Sequence, residues 1–421
     1  MQQSADLITP LPADVPATIR AVKHQLRGQL EDPRAALNAA AAAMREEVAA
    51  VVAERADGGS AVPVVEYADV AAGTVPAERM AAIHRRGCAV VRGTFERDEA
   101  EEWDGELEAY LDGNDFMARY RGPADQLFSA LASSRPQIYG VYWSRPQVAA
   151  RQHERMVTVR RFLNSFWSHE SDGQQWFDPE NDIGYPDRIR RRQPSTPSLG
   201  LSPHADSGSI ERWLLPAYQR VYRHVFAGEW ERYDPWDGAH RGEVHEFPTT
   251  VMCSAFRTFQ GWTALSEMRP GDGVLHVIPI PKAMGYVLLR ALQDDIAEDD
   301  LCGADNDRVL AVVDRYHELM MPAYGPIPPV EPGDTVWWHA DLLHGVGDGS
   351  NDDRWGNVMY IPAAPLCAKN LAYARLCGQV FLEGRSPADF AAEDYELDWV
   401  NRAGPADLNA TGRQQLALDD A

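Results

Sequence analysis

The chain has 421 residues, 45% of them hydrophobic, with 63 acidic against 40 basic side chains and a formal charge of −23. That length and apolar share supply a sizeable core and exclude a fibrous or wholly disordered chain. The negative field repels nucleic acid and anionic membrane at long range, so neither is an expected partner, although a local basic pocket for a small anion remains compatible with it. No run of about 18 apolar residues marks a membrane span. The five cysteines are scattered and form no CxxC pair, as expected of free thiols in a reducing compartment. Residues Met1 to Asp6 lack a basic start followed by an apolar stretch, and the expected location is cytoplasmic.

Along the chain, Ala35 to Ala56 is rich in alanine, glutamate and arginine without glycine or proline, which predicts a helix. Asp57-Gly58-Gly59-Ser60-Ala61 stops it as a linker. Residues 1–61 therefore read as an N-terminal helical segment, packed on the main domain or on a second subunit of a homo-oligomer. From Val62 the pattern changes to a short strand ending near Tyr67, a helix near Pro76–Arg86, a buried strand over Gly87–Gly93 and a helix over Arg97–Leu111. Further helices are expected at Gln147–Ser165 and Ile210–Phe226, and a pair within Ala283–Met321. Apolar strands bounded by turn residues are expected at Thr250–Phe259, Val274–Ile280, Asp334–His339 and Asn357–Pro362. Strands interrupted by helical insertions around metal-binding residue types predict an α+β chain. Its core would be a double-stranded β-helix, or jelly roll, over residues 62–408. Residues 409–421 read as a polar tail without fixed structure.

Ser202-Pro203-His204-Ala205-Asp206 holds His-x-Asp at the end of an expected strand. On extended backbone, residues two apart share a face, so His204 and Asp206 converge. A second imidazole comes from His344 in Asp341-Leu342-Leu343-His344-Gly345. His339 competes for that place, and His344 is preferred because it immediately precedes a glycine-containing turn. Two neutral imidazoles and one carboxylate form a facial triad that suits iron(II) and leaves positions open for a chelating 2-oxo acid and for O2. Gly347 to Asp353 reads as a hairpin turn that returns Arg354 beside His344. There its planar fork would bind the far carboxylate of 2-oxoglutarate. The alternative for Arg354 is a surface ion pair with Asp352 or Asp353. Arg188, Arg190, Arg191 and Arg192 cluster before the His204 strand. They read either as a solvated loop or as an attractor for an anionic substrate. His240, His245 and Glu246 lie in a Gly- and Pro-containing loop that does not suit a second metal site.

The pattern His204-x-Asp206 … His344 … Arg354 resembles the iron(II)/2-oxoglutarate-dependent dioxygenase superfamily, particularly its phytanoyl-CoA-hydroxylase-like members. As a whole the chain is similar to the YbiU-like uncharacterised group. Phe259-Gln260-Gly261-Trp262-Thr263-Ala264-Leu265 and Gly271-Asp272-Gly273-Val274 carry the same likeness. The resemblance implies a jelly-roll oxygenase that hydroxylates a small molecule with formation of succinate and CO2, and it implies Trp262 as a wall of the 2-oxoglutarate pocket. Asp206 stands where a halogenase of the superfamily has a small residue, which favours hydroxylation. Pro279-Ile280-Pro281-Lys282 departs from the family pattern and leaves one substrate-side contact unassigned. The competing readings are a non-oxidative jelly-roll metalloenzyme, such as an isomerase or lyase, and a ligand-binding protein on the same fold.

Overall fold

Val-, Trp- and Thr-rich segments pair into two main sheets, beside two separate two-stranded ribbons, in the computed structural model, which describes residues 7–121, 137–171, 173–249 and 253–419. In chain order the strands are β1 (Val64–Glu66), β2 (Cys88–Arg92), β3 (Ile138–Tyr139), β4 (Ile189–Arg192), β5 (Pro197–Ala205) and β6 (Phe259–Ala264). There follow β7 (Leu275–Ile278), β8 (Leu310–Ala311), β9 (Gly325–Pro326), β10 (Thr335–His339), β11 (Leu343–Ser350) and β12 (Gly356–Tyr360). The seven-stranded sheet runs β1-β2-β10-β6-β12-β4-β3 and the five-stranded sheet β8-β5-β11-β7-β9. Every neighbouring pair is antiparallel except β1 with β2. The result is a mixed α/β chain built on two open sheets, and no barrel closes among the described residues.

The inner faces meet. Trp262, Val336, Trp338 and Val358 of the large sheet share one buried cluster with Leu275 and Val277 of the small one. The period of two puts the alternate residues on the outer faces. Phe259, Trp337 and Met359 pack outward against Trp103, Leu107, Val159 and Leu163 from helices at Arg97–Gly113 and Glu154–Asn164. All six residues of β6 are therefore buried, since both faces of this central strand are covered.

The outer face of the small sheet, through Ala205, Ile278 and Leu343, is covered by α1 (Val15–Gln29), α2 (Pro33–Glu54) and the insertions that follow β5 and β7. Asp14 and Asp32 cap these two helices, each followed by a proline in the first turn, where a missing N–H is harmless. Ala40, Met44, Val48 and Val51 form the buried stripe of α2, at the spacing of one helix face. Lys23 of α1 donates to the carbonyls of Ala297 (2.7 Å) and Asp300 (2.9 Å). Of the two packings open from sequence, the N-terminal segment thus takes the one on its own chain. No helix among the described residues is long and apolar enough to cross a membrane.

Some expected elements change. The helix expected at Ile210–Phe226 is three short ones, Glu211–Leu214, Pro216–Val221 and Arg223–Phe226, because Pro216 cannot continue a helix and starts a new one. The strand expected at Thr250–Phe259 has its first residues outside the described ones, and 253–258 are irregular before β6 begins. Side chains satisfy that backbone instead: Asp389 takes the Ser254 N–H (2.9 Å), and Asn370 takes the Phe256 N–H (2.8 Å) and donates to its carbonyl (2.7 Å). The tail is not loose over 409–419. Asn409 caps a helix at Ala410–Gln415, and Leu416 and Ala417 bury beside Tyr185 and Tyr373.

Candidate metal centre

His204 lies near the end of β5 and pairs directly with His344 of β11, so two adjacent strands of the small sheet present their imidazoles together. The ring centroids are 4.4 Å apart. Each Nδ1 faces a carbonyl two residues back, Ser202 O at 2.8 Å and Leu342 O at 3.1 Å. A carbonyl partner requires the proton on Nδ1, which leaves each Nε2 lone pair free. Both Nε2 atoms turn toward Asp206, at 3.5 Å from Oδ1 for His204 and 3.7 Å from Oδ2 for His344. The ligand atoms of His204, Asp206 and His344 all lie within 4.8 Å of one another. Burial, reinforced by the neighbouring His204, lowers the His344 pKa to about 4. Burial would raise the Asp206 carboxyl, but His344, His204 and Arg257 outweigh it and hold it below its ordinary value. At neutral pH His344 is therefore a neutral imidazole and Asp206 a carboxylate, as a facial triad requires.

The residues around Asp206 hold this geometry. Ser207 has φ +62°, an uncommon conformation for a side-chain-bearing residue. It is held by Tyr218, whose hydroxyl donates to the Ser207 carbonyl at 2.6 Å, and by Arg257, which donates to Ser207 Oγ at 3.0 Å. Arg212 donates to the Asp206 carbonyl at 2.9 Å and, through its other terminal nitrogen, to Asp341 at 2.8 Å. Asp341 sits in the turn that leads into His344, so one guanidinium ties both arms of the triad. His339 does not join them. It is fully buried, stacked on Trp167 at 4.4 Å, and its ring nitrogens face Pro235 O (3.1 Å) and the Asp341 N–H (3.0 Å). His240 pairs with Glu243 and Glu246 with Lys369, both at 2.9 Å, so these residues do not gather as ligands.

A cavity opens between the sheets from the triad outward, and Trp262 and Tyr360 form part of its wall. Arg354 is not where the hairpin reading puts it. β11 belongs to the small sheet and β12 to the large one, so residues 351–355 carry the chain across from sheet to sheet. Arg354 lies in that crossing, off the cavity, and its Nη2 donates to both carboxylate oxygens of Asp272 at 2.9 Å. The arginine run is likewise no solvated loop, because it is β4 and the residue before it. Arg188 and Arg190 line the cavity. Arg191 turns outward to Asp104 (3.6 Å) and Glu108 (3.7 Å), and Arg192 is buried against the Asp272 carbonyl.

The profile of the Gig2-like family matches residues 13–418. The chain belongs to the Gig2-like family. It is 53% identical over 411 residues to the uncharacterized protein YbiU of Escherichia coli K12, covering 97% of this chain and 98% of that one. The crystal structure of the hypothetical protein JW0805 from Escherichia coli superposes with a TM-score of 0.90 at 50% identity, covering 98% of this chain and 100% of that one. GlcNAc Inducible Gene 2 from Candida albicans follows at 25% identity and a TM-score of 0.80, covering 97% and 90% of the two chains.

Within this Gig2-like fold, sequence reasoning misses Arg212, Arg257 and Asp341. Their only sequence signal is charge beside large apolar residues, Arg212-Trp213-Leu214, Phe256-Arg257 and Ala340-Asp341-Leu342. Each is buried, and a charge that folding buries needs a partner.

Proposed function

We propose that this protein is a non-haem iron(II) oxygenase that uses 2-oxoglutarate and O2 to hydroxylate a small molecule, forming succinate and CO2. The observation that carries this reading is the convergence of His204, Asp206 and His344, two imidazoles with free Nε2 atoms and one carboxylate. That donor set fits iron(II) and leaves coordination positions open. The facing seven- and five-stranded sheets, antiparallel apart from β1 with β2, support a double-stranded β-helix core for it. Bound iron(II) would supply the redox chemistry that couples decarboxylation of the 2-oxo acid to oxygen activation. The chain's own part is to orient the ligands and keep water out. The Ser202 and Leu342 carbonyls fix the imidazole tautomers, and Trp262 and Trp338 wall the cavity with apolar surface.

The test is anaerobic optical titration of the purified protein with iron(II), then with 2-oxoglutarate. A weak visible charge-transfer band that needs both additions, and that is absent from His204→Ala, is the expected result. Iron binding without that band would overturn the oxygenase reading in favour of a non-oxidative metalloenzyme.

A further inference from the structure

Three polar groups on the inner face of the large sheet lack any hydrogen-bond partner among the described residues. Gln260 and Trp338 face each other in register across β6 and β10. They are 3% and 4% exposed, and the Gln260 Nε2 and Trp338 Nε1 atoms are buried without partners. The Trp338 ring lies 5.1 Å from that of His344, so this pair marks the metal end of the cavity. The third group is Arg190 of β4, which lines the same cavity with no ion pair, Tyr360 being its electrostatic neighbour. Native interiors rarely leave buried donors unpaired, so the Gln260 and Trp338 atoms call for an explanation, a missing ligand among them, while half-buried Arg190 presents its charge to the cavity.

The register fixes where these donors stand. Arg190 pairs with Val358 of β12, and Val358 with Ala264 of β6. Gln260 is thus four residues along β6 from the row of Arg190, roughly 13 Å at the rise of an antiparallel strand. The long arginine side chain and the glutamine side chain shorten that gap inside the cavity. The missing partner therefore presents acceptors at two ends, one beside the triad and one several ångströms away facing a guanidinium. A short dicarboxylate has that shape, and Arg354, paired with Asp272 and off the cavity lining, is not placed to receive it.

Resting on the oxygenase reading, we infer that Arg190 binds the far carboxylate of the 2-oxo dicarboxylate, while Gln260 and Trp338 donate to its oxygens at the metal end. A guanidinium binds both oxygens of a carboxylate at once, and one with no internal partner breaks no protein ion pair to do so.

Anaerobic binding titrations on iron(II)-loaded protein test this, comparing 2-oxoglutarate with 2-oxobutyrate, which keeps the chelating end and lacks the far carboxylate. Arg190→Gln should weaken 2-oxoglutarate at least tenfold and leave 2-oxobutyrate unchanged, and that unchanged affinity also reports an intact fold. Gln260→Leu should weaken both acids alike, and Arg354→Gln neither. Retention of 2-oxoglutarate affinity within twofold by Arg190→Gln, or its loss in Arg354→Gln, would overturn the assignment. Glutarate, which cannot chelate, separates the two readings. Arg190-dependent stabilisation by glutarate in a metal-free thermal-shift assay upholds the anchor even if no 2-oxo acid chelates. If glutarate has no such effect and neither 2-oxo acid binds the iron-loaded wild type, both readings fall.

Discussion

Asp341 is the carboxylate on which the supports of the His204, Asp206 and His344 cluster converge, and replacing it with asparagine tests that dependence at constant size. Its Oδ1 accepts from Arg212 and from the Tyr222 hydroxyl, both at 2.8 Å, and its Oδ2 accepts from Arg241 at 2.7 Å. Arg212 and Arg241 are 1% and 7% exposed, so both guanidiniums draw on one buried carboxylate. Removing one partner of a buried ion pair costs about 3–5 kcal/mol. Two charge-assisted hydrogen bonds at about 1.5–3 kcal/mol each give about 3–6 kcal/mol, which overlaps that range. Asp341→Asn should therefore lose about 3–5 kcal/mol, a large part of the roughly 5–15 kcal/mol that domains possess, read as the urea midpoint by tryptophan fluorescence at pH 7. The acid limb gives a second reading. Burial alone would raise the Asp341 pKa, but Arg241 and Arg212 outweigh it and hold it far below the carboxylate range. With an unfolded pKa near about 3.9, this stabilisation is fully present above that pH and is lost as pH falls toward the folded value. Wild type should thus lose stability below about pH 4 more steeply than Asp341→Asn. A loss under about 1 kcal/mol at pH 7, or identical acid limbs, would refute the argument.

Two further outcomes are expected. Glu396 is 2% exposed and accepts from the Tyr142 N–H (2.7 Å), the Trp143 N–H (3.0 Å) and the Tyr110 hydroxyl (2.8 Å), yet burial pushes its carboxyl up to about 7. A raised carboxyl stabilises below its unfolded pKa, and that contribution is lost as pH rises through about 7. Between pH 4 and 8 the urea midpoint should therefore fall further in wild type than in Glu396→Gln, by an equivalent of roughly 3 kcal/mol. His339→Gln should retain iron(II) in equilibrium dialysis while His344→Gln loses it, since only His344 stands with His204 and Asp206. Equal loss in both variants would mean that His339 supports the site through its contact with the Asp341 N–H.

The triad was legible because its information is local. His204 and Asp206 share a strand end, and His344 follows the apolar strand β10 by a short turn. The strands were legible for the same reason, as alternating or continuous apolar runs between turn residues. Sheet membership was not. Gly347 to Asp353 carries the same turn residues whether β11 and β12 pair as a hairpin or part into two sheets, and only long-range pairing with β4, β5, β6 and β7 decides it. The arginine run misleads because its partners, the Asp104 carboxylate and the Asp272 carbonyl, lie far away in sequence. The tail misleads because a polar composition conceals one cap, Asn409, and two buried residues, Leu416 and Ala417.

The crossing between the sheets has a further consequence for charge. Once β12 pairs with β6 and β4, its inward positions in the cavity are Val358 and Tyr360, neither of them cationic, and Arg354 remains outside. A cation on that wall must then come from the neighbouring strand. β4 supplies it, because alternation turns Arg188 and Arg190 inward while Arg191 goes out to Asp104 and Glu108. Arg188 lies 3.7 Å from Asp187 and over the Phe390 ring at 4.6 Å, and Arg192 and Arg354 converge on Asp272. The run thus leaves Arg190 as its one guanidinium that faces the cavity without an acidic partner among the described residues. In a chain of charge −23, long-range attraction cannot draw an anion in. Selection for one must come from a desolvated contact, where a single unpaired guanidinium has its largest effect.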